Sequence, residues 1–178
     1  MNTFLPEGYK APEGQYYKLA DGENTFRIMT SAVTGYEYWN TENKAVRSKS
    51  PFKLPIQDIK LDEKTGKPTL PKHFWAFAIL AEGAVMPQIM QISQKSIQNA
   101  IRALVENAKW GDPKGYDITI TKTGSNLTTE YAIMPNPHSK AVDIDVSNIN
   151  LEALFNGTDP FAGNSSMDEL QTDLKKKK

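Results

Sequence analysis

The stretch HFWAFAILAEGAVMPQIMQI, residues 73–92, decides the fold of this chain. Residues 73–80 are an almost continuous apolar and aromatic run of strand length, and Glu82-Gly83 is a turn signal. Residues 84–92 are the returning strand, in which Pro87 indicates an edge position or a bulge. The stretch therefore predicts a β-hairpin.

A helix is predicted directly after this hairpin. Ser93 is suited to cap its N-terminus. Four apolar residues then fall on one helical face at i, i+4, i+7 and i+8, namely Ile97, Ile101, Leu104 and Val105. The turn sequence WGDP, residues 110–113, ends the helix.

Further strands are predicted on both sides of the hairpin and helix. Residues 25–39 mix β-branched with aromatic residues, and residues 116–122 and 128–134 alternate apolar with polar residues. Residues 40–72 are a long connection with a KTGK turn. This order predicts an all-β fold with one helix, a five-stranded OB-fold barrel whose helix lies between the third and fourth strands. An SH3-like barrel without this helix and an α+β sandwich are the open alternatives.

The 178 residues divide by composition into three parts. Residues 1–22 predict an irregular N-terminal arm, and residues 23–140 form the predicted barrel domain. Residues 141–174 carry seven acids and no lysine or arginine, and residues 175–178 are all lysine. Residues 141–178 therefore predict an acidic, flexible and mostly disordered tail with a lysine-rich tip. The formal net charge of zero thus hides a mildly basic body, which suggests a polyanionic partner, although charge alone favours an ordinary solvated surface with a disordered tail.

The sequence offers little for catalysis. It has no cysteine, and its two histidines, His73 and His138, stand in no metal-ligand spacing. Asp58, Asp62 and Glu63 could hold Mg²⁺, but a hydrophilic loop explains them better. No apolar run approaches the ~20 residues of a membrane span, and the N-terminus lacks a signal-peptide pattern. We therefore expect a non-enzymatic protein with no metal, cofactor or membrane partner.

Aromatic residues interleaved with basic ones are the strongest functional signal. Single-stranded nucleic acid is bound by bases that stack on aromatic rings, at about 1–3 kcal/mol per base, while lysine and arginine track the phosphates. The predicted stacking residues are Tyr36, Tyr38, Trp39 and Trp75, followed by Phe77, Trp110 and Tyr131. The predicted phosphate contacts are Lys44, Arg47, Lys49, Lys53, Lys95 and Lys122.

Each of these residues also has a purely structural interpretation. Strand alternation does not tell which face is inside, so Trp75 and Phe77 fit the core as well as a binding surface. Tyr36, Tyr38 and Trp39 stand at a strand end that leads into a basic loop, which favours their exposure. The basic residues of that loop are otherwise an ordinary solvated surface.

Several strings together resemble a group of phage single-stranded DNA-binding proteins. They are GYEYW at 35–39, KAVRS at 44–48, FWA at 74–76, ISQKSIQ at 92–98, and WGDP at 110–113 ahead of YDITI at 116–120. The resemblance spans about residues 16–137. It implies an OB-fold that coats single-stranded DNA during replication or recombination, without base specificity, in the cytoplasm of the infected bacterial host. It also implies that an acidic tail competes for the binding groove and recruits replication or recombination proteins.

Two features depart from the pattern of that family. The chain ends in four lysines instead of acids and an aromatic residue, and it lacks the cysteines with which some relatives bind zinc. No metal is therefore carried over. Two other classes of function stay open. One is a protein-interaction or anti-host factor that uses the aromatic residues as a docking patch. The other is a metal-dependent nuclease, which the scattered carboxylates support poorly.

Overall fold

A computed structural model describes Phe4, Glu7 and residues 14–161. The fold is mostly β with one α-helix, and seven antiparallel strands form one open sheet in the order β3-β2-β4-β1-β6-β7, with β5 also paired to β4. The strands are β1 Gly22–Ile28, β2 Val33–Trp39, β3 Ala45–Ser48, β4 Lys72–Ala81, β5 Gln88–Ile92, β6 Asp117–Thr123 and β7 Glu130–Pro135. The helix α1 is Lys95–Glu106, and short 3₁₀ turns occupy Pro113–Gly115, Asn126–Thr128 and Leu151–Phe155.

The predicted hairpin of residues 73–92 is confirmed as β4 and β5. Their register runs from Trp75 opposite Ile92 to Ile79 opposite Gln88. β5 begins only after Pro87, because proline has no N–H to donate to a ladder. The outer edge of β5 is covered by the N-terminal segment, where Tyr17 N donates to the Ile89 carbonyl at 2.8 Å. The part of the predicted N-terminal arm around Tyr17 therefore joins the sheet.

The prediction of one strand over residues 25–39 is wrong, because the chain bends between β1 and β2. At the bend, Thr30 Oγ1 accepts a hydrogen bond from Ala78 N at 2.9 Å, which replaces a ladder bond. β1 pairs with the end of β4 and with β6, whereas β2 pairs with the start of β4 and with β3. With β3 inside the predicted long loop, the sheet has seven strands instead of five.

The main core lies between the sheet and α1. Ile97 and Ile101 of α1 pack with Phe26, Phe77 and other apolar residues of β1, β4, β5 and β6. The helix follows the hairpin as predicted, with Gln94 instead of Ser93 at its N-cap position. Within the described part of the chain, no ladder joins β5 to β7, so the sheet does not close as the predicted barrel would. No helix of that part is long and apolar enough to span a membrane.

A second apolar cluster lies on the opposite face of the sheet, which we call the outer face. There Leu151 and Leu154 are buried against Phe74, Ala76 and Ile89. We call residues 149–161, which carry these leucines, the C-terminal arm. The prediction that the folded domain ends at residue 140 is therefore wrong, because the arm buries apolar residues on the sheet. The predicted tail and lysine-rich tip at residues 162–178 lie outside the described residues.

Candidate nucleic-acid interface

Trp39 ends β2 and stands beside a hairpin formed by residues 58–70. The hairpin is fastened to β2 by two backbone bonds of 2.8 Å, from Lys60 N to the Trp39 carbonyl and from Thr41 N to the Asp58 carbonyl. Ile59 is buried at the base of the hairpin, and Thr69 N bonds the Lys60 carbonyl across it at 3.0 Å. The position of the hairpin next to Trp39 is therefore fixed by backbone pairing.

An open groove of about 900 Å³ lies between Trp39 and this hairpin, and we call it the Trp39 groove. The Trp39 side chain is 47% exposed, and the two leucines beside it are 53% and 62% exposed. Three lysines contribute to the lining. The residues that matter here are Trp39, Leu61, Leu70, Lys60, Lys64 and Lys72. Three acids, Glu37, Asp62 and Glu63, also line it, so the groove combines exposed apolar side chains with lysines and an equal number of carboxylates.

The tip of the hairpin carries both charge signs. The Asp62 carboxylate accepts hydrogen bonds from the backbone N–H groups of Lys64 at 2.8 Å and Thr65 at 2.9 Å. These bonds, with Thr65 contributing most, lower the pKa of Asp62 below its ordinary value. Asp62 therefore stays ionised at neutral pH, holds the turn that presents Lys64, and offsets part of the cationic charge.

Tyr38 is buried, so the prediction that its ring stacks on bases is wrong. Its hydroxyl donates to Asp58 Oδ1 at 2.9 Å, and its ring meets Phe52 edge-on at a centroid distance of 4.8 Å. Burial raises the pKa of the Tyr38 phenol, and the hydrogen bond to Asp58 raises it further. Phe77 is also buried, in the main core, and is no stacking residue either.

Two other predicted stacking residues, Tyr36 and Trp75, share the sheet face opposite to the outer face. Tyr36 faces His73 across the β2–β4 ladder, and Thr34 faces Trp75 two residues further along. The Tyr36 and His73 rings lie 5.1 Å apart. Trp75 also lines a second groove of about 660 Å³ beside α1. Its rim carries two cationic and two acidic side chains, so its charge is balanced like that of the Trp39 groove, but its Trp75 is less exposed than Trp39.

The structure places none of the six predicted phosphate contacts in the Trp39 groove. Arg47 Nε donates to Glu37 at 2.8 Å, and Lys49 forms an ion pair with Glu152 and lies 5.5 Å from the centre of the Phe155 ring. Lys44 forms an ion pair with Glu42 at 3.4 Å, and Lys122 forms one with Asp21 at 3.6 Å. Lys53 and Lys95 are exposed on the loop and helix.

Trp110 and Tyr131 lie away from the groove. Trp110 stacks on His138 at 5.5 Å, and both rings contact Tyr116. Tyr131 faces Lys122 in the β6–β7 ladder, at the other end of the sheet order from β2. The predicted residues are therefore spread over several surfaces.

Sequence reasoning missed the hairpin residues that complete the groove. Their only signals were the KTGK turn and the excess of basic residues between positions 40 and 72. Lys60, Lys64 and Lys72 are not periodic, so no strand or helix pattern singles them out.

The acidic and histidine side chains of residues 14–161 form no group of three or more that could hold a metal ion. Comparison with known proteins finds no matching family model, no matching curated protein and no matching solved structure.

Proposed function

We propose that this protein binds single-stranded DNA without sequence specificity, and that the Trp39 groove is its contact site. The observation that carries the proposal is the half-exposed Trp39 ring beside Lys60, Lys64 and Lys72 in one open groove. An exposed ring accepts any unstacked base, and lysines at the rim neutralise the phosphates. In this role the protein would coat and protect single strands during phage replication or recombination in the host cytoplasm, and it would not be an enzyme.

The apolar walls of the groove favour single strands over duplex DNA. Leu61 and Leu70 flank Trp39 and offer hydrocarbon surface to the flat face of a base. In a duplex, the bases are stacked on one another and their faces are not accessible to a side chain. An exposed ring flanked by two leucines contacts the face of any base in the same way, which fits sequence-tolerant binding.

The strand neighbours support an OB-type arrangement, with β1 and β2 together as a bent first strand. This first strand pairs with β4 and β6, β4 pairs with β5, and β6 pairs with β7. Within the described residues, the ladder between β5 and β7 is the one pairing of such a barrel that is missing, and the OB-fold is a partly open barrel. In that arrangement the hairpin of residues 58–70 belongs to the loop between the first and second strands. That loop is one of the two that flank the oligonucleotide in OB-folds.

The test is a Trp39→Ala variant titrated with fluorescently labelled oligo-dT. We expect the variant to lose about 1–3 kcal/mol of binding free energy, because one stacked base loses its platform. Val85→Ala is the matched control, since Val85 is exposed in the turn between β4 and β5 and lines neither groove. A folded Trp39→Ala variant with parental affinity would contradict the proposal.

The exposed leucines also favour a second candidate function, docking of a partner protein on the same groove. Tryptophan is among the residue types that dominate protein-binding hot spots, and Trp39 is exposed beside Leu61 and Leu70 in this groove. The same titration separates the two functions. A parent protein that shows no binding to oligo-dT at low salt excludes the DNA function and favours protein docking.

A further inference from the structure

The C-terminal arm is held on the outer face by side chains alone. Within the described residues, every backbone hydrogen bond of the arm is internal or to the preceding turn, such as Asn150 N to the Pro160 carbonyl at 2.8 Å. Its contacts with the sheet are the buried Leu151 and Leu154, the stacked rings of Phe155 and Phe74, and the ion pair between Glu152 and Lys49. The arm can therefore leave the sheet without breaking any ladder.

The segment before the arm is a tether that forms no backbone ladder with the domain in the described residues, while its side chains Val142, Ile144 and Val146 are half-buried. In residues 141–148, the hydrogen bonds of the structure are local, between Asp145 and Ser147 and between Val146 and Ile149. The last hydrogen-bonded anchor before the tether is the Lys140 carbonyl, which accepts from Arg27 at 3.4 Å. Eight residues span at most about 26–29 Å when extended. That reach is comparable with the width of a domain of this size.

We infer that the arm is exchangeable between copies of this chain, so that residues 149–161 of one copy dock on the outer face of a second copy. The structure itself shows what that face accepts, because the arm is seated on it. A neighbouring chain offers the identical segment, and every contact made within one chain can be made between two. The occupant of the vacated face is therefore the arm of another copy.

The balance between the two arrangements depends on local concentration. In dilute solution the tether keeps each arm close to its own sheet, and the closed monomer is favoured. On a coated single strand, neighbouring copies bring a second outer face to a similar effective concentration. This crowding of copies on DNA rests on the proposed DNA-binding function, whereas the exchange itself does not. Exchange of arms would link adjacent copies and make coating cooperative.

Cysteine cross-linking tests the inference, because the chain has no cysteine of its own. One preparation carries Lys49→Cys and a second, of different mass, carries Glu152→Cys. The two are unfolded together in urea, refolded at high protein concentration, where exchange competes with the closed monomer, and treated with a short bismaleimide, which tolerates Cα separations too long for a disulfide. A parallel sample contains oligo-dT. Lys53→Cys mixed with Glu152→Cys is the control for random collision, since Lys53 is exposed and has no described contact with the arm.

We expect a covalent heterodimer from the Lys49→Cys and Glu152→Cys mixture, in several-fold excess over the Lys53→Cys control. A Lys49→Cys/Glu152→Cys double variant, refolded alone at high dilution, should instead cross-link within the monomer. Intramolecular cross-linking of the double variant without any heterodimer from the mixture would overturn the inference. The heterodimer yield in the DNA-free sample tests arm exchange by itself. A failure of the proposed DNA-binding function is measured separately, as an absence of binding to oligo-dT.

Discussion

The Phe155 ring lies against the backbone of Gly35 so closely that a Cβ on Gly35 would be 2.6 Å from Phe155 Cε1. The same Cβ would be 2.6 Å from the Ser48 carbonyl oxygen of β3. Gly35 therefore leaves the space in which the C-terminal arm meets the outer face. This contact connects β2 with a segment that is more than a hundred residues away in the sequence.

We expect Gly35→Ala to loosen the arm and to lower the free energy of unfolding by about 1–3 kcal/mol, the usual cost of overpacking. Urea denaturation measures the stability, and limited proteolysis after residue 148 measures release of the arm. Gly14→Ala is the control, because a Cβ at Gly14 meets nothing within 4 Å. Equal protease resistance of Gly35→Ala and the parent would contradict this prediction, because it would show that the Phe155 ring shifts to make room while the arm stays on the sheet.

Two truncations separate the arm from the residues that follow it. A chain that ends at residue 148 loses Leu151 and Leu154, and at about 1.5–3 kcal/mol for each buried leucine we expect a loss of roughly 3–6 kcal/mol. A chain that ends at residue 161 keeps these contacts and should unfold at the same urea concentration as the parent. Equal stability of the shorter chain would mean that the arm contributes nothing to the folded state.

The salt dependence of DNA binding should follow the lysines of the Trp39 groove. On single strands, log K falls with log salt by about 0.7 for each phosphate neutralised, so Lys60→Ala/Lys64→Ala/Lys72→Ala should flatten the slope by about two. The control triple variant replaces Lys18, Lys109 and Lys140, which are exposed and lie outside the groove. An unchanged slope in the groove variant would show that the phosphates lie elsewhere.

Tyr38→Phe should lower stability at neutral pH by about 0.5–1.5 kcal/mol, because it removes the hydrogen bond to Asp58. The raised pKa of Tyr38 means that its stabilising contribution is complete below pH 10 and is lost as the pH rises through the folded-state pKa. The unfolding free energy of Tyr38→Phe should therefore fall less steeply above pH 10 than that of the parent. Urea titrations on both sides of pH 10 measure this, and parallel curves would contradict it. Burial also raises the pKa of Tyr116, so Tyr116 contributes to the alkaline loss of stability that remains in the variant.

The elements that sequence reasoning predicted well are those with a local cause. The hairpin of β4 and β5 follows from two apolar runs around Gly83, and α1 follows from the helical spacing of Ile97 and Ile101. The bend between β1 and β2 contains no proline or glycine, so the local sequence does not predict it. The bend arises because β4 pairs first with β2 and then with β1 along its length, and this pairing is a property of the tertiary structure.

The burial of the C-terminal arm could not be predicted for a similar reason. Its apolar residues form a short island among acids, and such an island is too small to fold alone. Only the exposed outer face of β4, with Phe74 and Ala76, gives these residues a surface to pack on. The composition correctly identified an acidic segment, but it carries no information about the outer face on which the arm packs.

By itself, the sequence determined a mostly β fold with one helix after a central hairpin, and it placed aromatic residues at the end of β2. Only the tertiary structure decided which of them remain in solvent. Tyr38 and Trp39 are adjacent, yet strand alternation sends them to opposite faces, and the following loop brings Phe52 and Asp58 onto Tyr38 alone. In the same way, the sequence around Lys49 gives no sign of an ionic partner, but Glu152 of the arm pairs with Lys49 in the fold. Solvent exposure and charge pairing depend on residues far apart in the chain, and local sequence patterns carry no information about them.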